Sequence, residues 1–336
     1  MPIVDPTRNV PAAALYAFAL LSGTNALVAH AQSSNFPTRP VTLIVPFSAG
    51  GGTDVVARTI APKLTEIWGQ QVIVDNRTGA SGTIGLQVVN KAAPDGHTIG
   101  MMIITHATNA AMLGAKSPID LVRDFSPISQ VVGQPYALMV NASIPARSVK
   151  ELVSLAKTRP GALTYGSSGV GGVLHLAGEL LSVRTNIRIT HVPYKGSAPS
   201  VADVAGGHIA MAFCTLMSAQ PLVARGRTRV LGITAKERLA IAPDIPTVEE
   251  SGLTGPFEVS GWYGIAAPPN TPSAVVEKIS RDVARVIKLA DVRDRMLGEA
   301  FVPTSSTPAQ FGEMVRGEVD LWKRIIKQAG VSPDAR

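Results

Sequence analysis

The chain has 336 residues and a mass of 35.1 kDa, 46% of them apolar and 16% charged, which is about two domains of ordinary size and too apolar for a disordered protein. It has 31 glycines and 25 prolines, and the glycines cluster after apolar runs without a repeat, excluding fibrous and low-complexity classes, while the single cysteine excludes a disulfide scaffold. The net charge of +7 points to anionic partners, but the basic residues are scattered and only 5% of the chain is aromatic, with no stacking motif between them, which argues against nucleic acid.

At the start, Arg8 precedes an apolar stretch from Val10 to Leu21, and the segment closes on Ala29-His30-Ala31, a small-x-small pattern. This reads as a cleavable secretory signal over residues 1–31, cut after Ala31, because the stretch is shorter than the ~20 residues a spanning helix needs. No cysteine near that point could take a lipid. Without the signal the chain keeps 30 basic and 23 acidic residues, and the expectation is an exported, soluble protein.

From Val41 an apolar strand pattern runs through Phe47 into Ser48-Ala-Gly-Gly-Gly-Thr-Asp54 and a helix from Val55. Gln71 to Asp75 is a second strand, followed by Asn76 to Gly82, a helix from Ile84 to Ala93 and a third strand from Thr98 to Ile104. This alternation predicts an α/β class with crossover units and a mostly parallel sheet. A second series opens at Ser148, whose spacing to Glu151 is a capping box for a helix to Lys157. Leu163 to Tyr165 then enters the loop Gly166 to Gly172 and a helix from Leu174 to Leu181, so strand, small-residue loop and helix appear twice. Further strands are predicted at Ile187–Val192, Ile209–Phe213, Arg229–Thr234 and Val259–Ala266. A capping box at Thr307–Gln310 opens a final helix, whose stripe of Phe311, Val315, Val319, Trp322 and Ile326 should pack onto the body.

A Gly-rich loop between strand and helix leaves backbone N–H groups unpaired at the positive end of the helix dipole, so Ser48–Asp54 can hold an anion without a basic side chain. Thr53 and Asp54 could equally cap the helix. A nicotinamide site competes, since Asp75 ends the second strand 23 residues after Gly52, but the fingerprint needs Gly or Ala at position 55 and finds Val55. A hydrolase elbow fails at Ser167 and at Ser168, the five histidines downstream of His30 lack metal-ligand spacing, and Cys214 in its apolar run is a buried small hydrophobe. With no cofactor, metal or catalytic pair, the residues favour a binding protein whose two lobes close over a small anion.

Phe36-Pro-Thr-Arg-Pro40, Val45 to Asp54, Val74 to Gly82, Pro94-Asp-Gly-His97, Tyr165-Gly-Ser-Ser168, His175 to Glu179, His191-Val-Pro-Tyr-Lys-Gly196 and Ser260-Gly-Trp262 together resemble, in order and spacing, the Bug-type receptors of tripartite tricarboxylate transporters. The resemblance covers Phe36 to Gly330. It implies a two-lobed type II periplasmic-binding-protein fold with the ligand cleft between lobes: lobe one from 36–135 and 232–336, lobe two from 136–231. It also implies carboxylate binding by loop amides and hydroxyls: Phe47, Ser48, Ala49, Gly50, Gly51, Gly52, Thr53 and Asp54 with Thr105 from lobe one, and Ser167, Ser168 and Gly169 from lobe two. His175 and Tyr194 would line or support the cleft. Less polar groups at Val170, Cys214 and Thr215 than such receptors often carry favour an organic acid without an amine. The implied partners are a small organic acid and the permease subunits of the transporter, or a sensor.

Overall fold

The computed structural model describes residues 36–194, 197–252 and 256–331, so the expected signal segment lies outside the described residues. The chain forms β1 (Val41–Val45), α1 (Gly52–Trp68), β2 (Val72–Asn76), α2 (Thr83–Asn90), β3 (Thr98–Ile103) and α3 (Ile104–Leu113). It continues through β4 (Ser126–Asn141), α4 (Val149–Thr158), β5 (Thr164–Ser167), α5 (Val173–Thr185), β6 (Thr190–Pro193), α6 (Ser197–Gly206), β7 (Met211–Thr215), α7 (Leu216–Ala224) and β8 (Thr228–Ile233). The last elements are β9 (Ser260–Ala267), α8 (Ser273–Ile287), α9 (Ala290–Gly298), β10 (Val302–Pro303) and α10 (Pro308–Ala329).

All ten strands join one curled sheet that divides into two halves along β4. From Ser126 to Pro135, β4 pairs antiparallel with β9 and, at Val132 and Gly133, with β10; β9 in turn pairs with β3, which continues to β1 and β2 in parallel. From Tyr136 onward the same strand pairs antiparallel with β7 and β8, and parallel β5 and β6 extend from β7. The protein is therefore a two-lobed α/β fold, as its resemblance implied. The sheet is mixed rather than mostly parallel, because β9 runs against the parallel set β1–β3 and β4 runs against the parallel set β5–β7. The 16-residue β4 carries Pro127, Gly133 and Pro135, which read locally as breaks, so sequence pattern alone conceals it.

Where β4 passes between halves, Thr234 ties three segments together. Its backbone N–H donates to Tyr136 O at 2.8 Å, its hydroxyl accepts from Tyr136 N at 2.9 Å and donates to Val259 O, and Val259 N returns a bond to Thr234 O at 3.0 Å. Thr234 is fully buried, so each of these groups needs its partner.

One apolar core runs through both lobes, containing Ile44, Leu86 and Met102 from the first, Leu138, Tyr165 and Leu176 from the second, and Phe311, Val315 and Trp322 from α10. The helix begins with the predicted capping box, in which Gln310 N donates to Thr307 Oγ1 at 3.2 Å and Thr307 N to Gln310 Oε1 at 2.9 Å. Its predicted stripe is the buried one. Separate cores fill the outer faces, α1, α8 and α9 covering the first half and α6 and α7 the second.

Candidate functional site

In lobe one, β1 ends at Val45 and the chain turns through Phe47–Gly51 into α1, with Gly50 at φ +80. Ser48, Ala49, Gly50 and Gly51 are exposed, whereas Thr53 and Asp54 are buried. The N-cap, Gly51, has no side chain to supply a cap, and the N–H groups of Gly52, Thr53 and Asp54 fall in the first turn, where no intrahelical acceptor exists. Two amides of the loop are committed internally: Gly50 N donates to Asp54 Oδ2 at 2.9 Å, and Gly51 N approaches Ser48 O at 3.3 Å.

Asp54 holds this turn in place. Its carboxylate accepts from Gly50 N, from Arg58 Nε at 2.9 Å and from Asn76 Nδ2 at 3.0 Å, and Asn76 Nδ2 also donates to Phe47 O. Burial alone would raise its pKa, but the hydrogen bonds from Arg58, Gly50 and Asn76 outweigh that and hold the group below the ordinary carboxylate value. Both nearby guanidiniums are engaged, Arg58 with Asp54 and Asn76, Arg77 with Asp75. The wall is thus built from dipoles and short side chains.

Two more helix starts join it. The turn before α2 has four successive residues at positive φ, Gly79, Ala80, Ser81 and Gly82. A Cβ at Gly82 would lie 2.4 Å from His106 Nε2 and 2.8 Å from Phe47 Cζ, so only glycine lets this turn close onto both rings. At the start of α3, which follows β3 next to β1, Ile103 N donates to His106 Nδ1 at 2.9 Å and the His106 ring lies 5.7 Å from that of Phe47; half-buried Thr105 precedes it. Burial first, against the hydrogen bonds at Gly82 and Ile103, lowers the His106 pKa to about 4.

In lobe two the corresponding loop follows β5. Ser167 is fully buried, Ser168 is exposed and Gly169 has φ +132. Ser167 Oγ accepts from Gly169 N at 3.1 Å and lies 2.7 Å from His191 Nε2; His175 Nδ1 accepts from Gly171 N at 3.0 Å. That bond leaves the proton of neutral His175 on Nε2, which faces Glu179 Oε1 at 3.6 Å, while Tyr165 OH donates to the same carboxyl oxygen. Burial lowers His175 to about 3, with His191 adding to the shift, and lowers His191 to about 4, while burial raises Glu179.

Tyr194 N donates to Ser167 O at 3.2 Å, and its hydroxyl donates to Asp203 Oδ2 at 2.6 Å, so this side chain braces the loop from within its own lobe. Burial, followed by the bond to Asp203, raises its pKa to about 12. Thr215 caps α7 by accepting from Ser218 N. Ser167–Gly172, Tyr194 and Thr215 all follow the C-terminal ends of parallel strands, as do the three loops of lobe one. The lobes touch nearby, since Met112 Cε of α3 lies 3.0 Å from where a Cβ of Gly171 would stand.

The structure therefore groups Phe47–Asp54 with Thr105, and Ser167–Gly169 with His175 and Tyr194, in two sets. Sequence reasoning passed over His191, Glu179, Asn76 and the Gly79–Gly82 turn as site residues. Apart from His175, the histidines offered no signal beyond metal-ligand spacing, although His191 and Asn76 stand within the family-like stretches. Among the described residues no group of His, Cys, Asp or Glu could hold a metal ion. Ser167, though near a histidine, has no exposed surface from which to attack a substrate.

Two α/β lobes, each with helix starts at the C-terminal ends of its parallel strands, are the arrangement of the solute-binding receptors to which the chain is similar. The chain belongs to the tripartite tricarboxylate transporter family receptors, whose profile matches residues 56–331. It is 36% identical over 292 residues to the protein of the tcbD-tcbE intergenic region of Pseudomonas sp. strain P51, covering 87% of this chain and 86% of that one. It is 31% identical over 309 residues to BugT of Bordetella pertussis, covering 91% and 94%. Among solved structures it is similar to an R. palustris protein with adipate (34% identity, TM-score 0.73, covering 88% and 99% of the two chains). The periplasmic binding protein BugD (31%, 0.70, 88% and 99%) and MatC from Rhodopseudomonas palustris with bound malate (30%, 0.69, 87% and 100%) are also similar. The family consists of receptors rather than enzymes, which removes the oxidoreductase and hydrolase readings.

Proposed function

We propose that the chain is exported to the periplasm, captures a small organic acid between its lobes by hinge closure, and delivers it to the membrane permease of a tripartite tricarboxylate-type transporter. The lobes comprise 36–135 with 232–336, and 136–231, and they rotate about Tyr136, Thr234 and Val259. One carboxylate sits at the α1 start, on the amides of Ala49 and Gly52–Asp54 with Thr105 beside them, and the other end of the guest meets Ser168 and Gly169. Phe47, Ser48, Gly50 and Gly51 shape the first loop, and Ser167, His175 and Tyr194 fix the second.

The observation that carries this reading is the pairing of uncapped helix starts with loops whose nearby cations are already engaged. Adipate and malate in the similar structures support a dicarboxylate. A thermal-shift panel of adipate, malate, citrate and glutamate tests it: a ligand at about 100 Kd adds about 2.7 kcal/mol to stability. The simple dicarboxylates should raise Tm, and Gly51→Leu, at an exposed position with φ outside the left-handed region, should remove the shift while the protein stays folded. A shift unchanged in that variant would place the guest elsewhere.

A further inference from the structure

Charge is divided unevenly between the lobes. Residues 36–135 and 232–336 hold 20 basic and 20 acidic side chains, whereas residues 136–231 hold 10 basic and 3 acidic. The whole positive excess belongs to the second lobe. Two of its three acids are turned to internal work, Glu179 with Tyr165 and Asp203 with Tyr194.

Topology collects these cations at one end. Parallel strands β5, β6 and β7 put their C-terminal ends at the ligand loops, and antiparallel β4 therefore finishes, and β8 begins, at the opposite end. Arg147 and Lys150 follow β4, Lys157 and Arg159 precede β5, Arg188 precedes β6, and Arg225 and Arg227 precede β8. All seven are exposed, and among the described residues none forms an ion pair with a carboxylate. Of the lobe's three acids only Glu151 lies there. Basic residues commonly close helix C-termini, which accounts for Lys157 and Arg225, but that preference does not explain the near absence of acids around them.

We propose that this distal end of lobe two is a docking face for an anionic lipid surface, used independently of the ligand because it lies away from the cleft loops. A protein interface of useful affinity is centred on buried aromatic or apolar anchors. Of the large apolar side chains exposed among the described residues, Val223 alone stands at this end. Long flexible cations spread over four segments suit many mobile headgroup charges, whose attraction adds up per Lys or Arg and falls away within a Debye length.

The test is co-sedimentation of the full chain with phosphatidylcholine vesicles with or without about 30 mol% phosphatidylglycerol. The protein should bind only the anionic vesicles, at low salt, and be released at a few hundred millimolar salt. Combining Lys157→Gln, Arg159→Gln, Arg188→Gln and Arg225→Gln should weaken binding at least tenfold, while circular dichroism and the adipate thermal shift stay unchanged. Replacing Arg281, Lys288, Arg293 and Lys323 of lobe one by Gln should change it less than threefold. Equal binding to neutral vesicles, an unaffected lobe-two variant, or an equal loss in the lobe-one variant would each overturn the proposal. So would retention on polyglutamate without binding to vesicles, which would mark an acidic protein as the partner.

Discussion

The imidazoles of His175 and His191 lie face to face, their centroids 3.8 Å apart and their planes 18° from parallel. Two rings so close cannot both carry charge without strong repulsion. Tyr165 and Glu179 are the other titratable groups of the cluster, and Glu179, raised by burial, is the one carboxylate within 4 Å of His175.

Acid should therefore unfold this protein through its histidines. His175, His191 and His106 have folded pKa values of about 3, 4 and 4, below their ordinary 6.5, so the unfolded state binds more protons between those limits. Stability rises with pH across that window and is lost as pH falls from about 6.5. The raised Glu179 and Glu318 act in the opposite sense and soften the slope. Calorimetric Tm should drop steadily from pH 7 to 4.5, and His191→Phe, which keeps a stacked ring without a charge, should flatten the curve. A parallel curve in that variant would remove the pair as the cause.

Asp54→Ala should cost about 1–2 kcal/mol, because Gly50 N–H, Asn76 and the Arg58 guanidinium lose their shared acceptor, although water can reach all three. Dicarboxylate affinity should fall with it, since the loop loses its brace. Urea titration and isothermal calorimetry measure the two effects separately.

Gly82→Ala combines a positive φ of 91 with a Cβ only 2.4 Å from His106 Nε2, a position a small shift cannot relieve. A loss of about 2 kcal/mol or more is expected from strain and displacement of the Phe47 ring. Gly50→Ala is the useful contrast: its φ is 80 but nothing lies within 4 Å, so it should cost less. Chemical denaturation of the two variants ranks them.

Thr234→Val keeps the shape of the crossing but strips its hydroxyl from Tyr136 N and Val259 O. Two buried backbone groups would lose a partner, at about 1–3 kcal/mol. If the lobes rotate about this point, small-angle scattering of the ligand-free variant should also show a broader range of lobe separations than wild type.

On α10, Trp322 Nε1 donates to Glu318 Oε2 at 2.6 Å, and burial, opposed by that bond and assisted by Glu258, lifts the Glu318 pKa to about 7. Tryptophan fluorescence should titrate with a midpoint near neutrality, and Glu318→Gln should abolish the transition.

How far the sequence could be read depended on whether a feature was local. The loop from Ser48, the capping box at Thr307 and the stripe Phe311–Ile326 are contained in a few consecutive turns and stand where their patterns placed them, except that the first helix starts at Gly52, three residues before Val55, with Gly51 rather than Thr53 or Asp54 at the N-cap. The strand Ser126–Asn141 escaped notice because Pro135 breaks a pattern that is completed by two different neighbours, Ser260 before it and Thr215 after. His191 escaped for a related reason: its partners, Ser167 and His175, are brought to it by the pairing of β5 with β6, which no spacing along the chain announces. The fold class and lobe count followed from resemblance more than from periodicity.

Helix α10 is the last of the described elements in chain order, yet its Phe311, Val315 and Trp322 complete a core shared by both lobes. A nascent chain short of those 22 residues leaves greasy surface uncovered on each half at once. Loss of this helix would therefore strip the seam between the lobes and loosen the whole molecule, not one lobe of it.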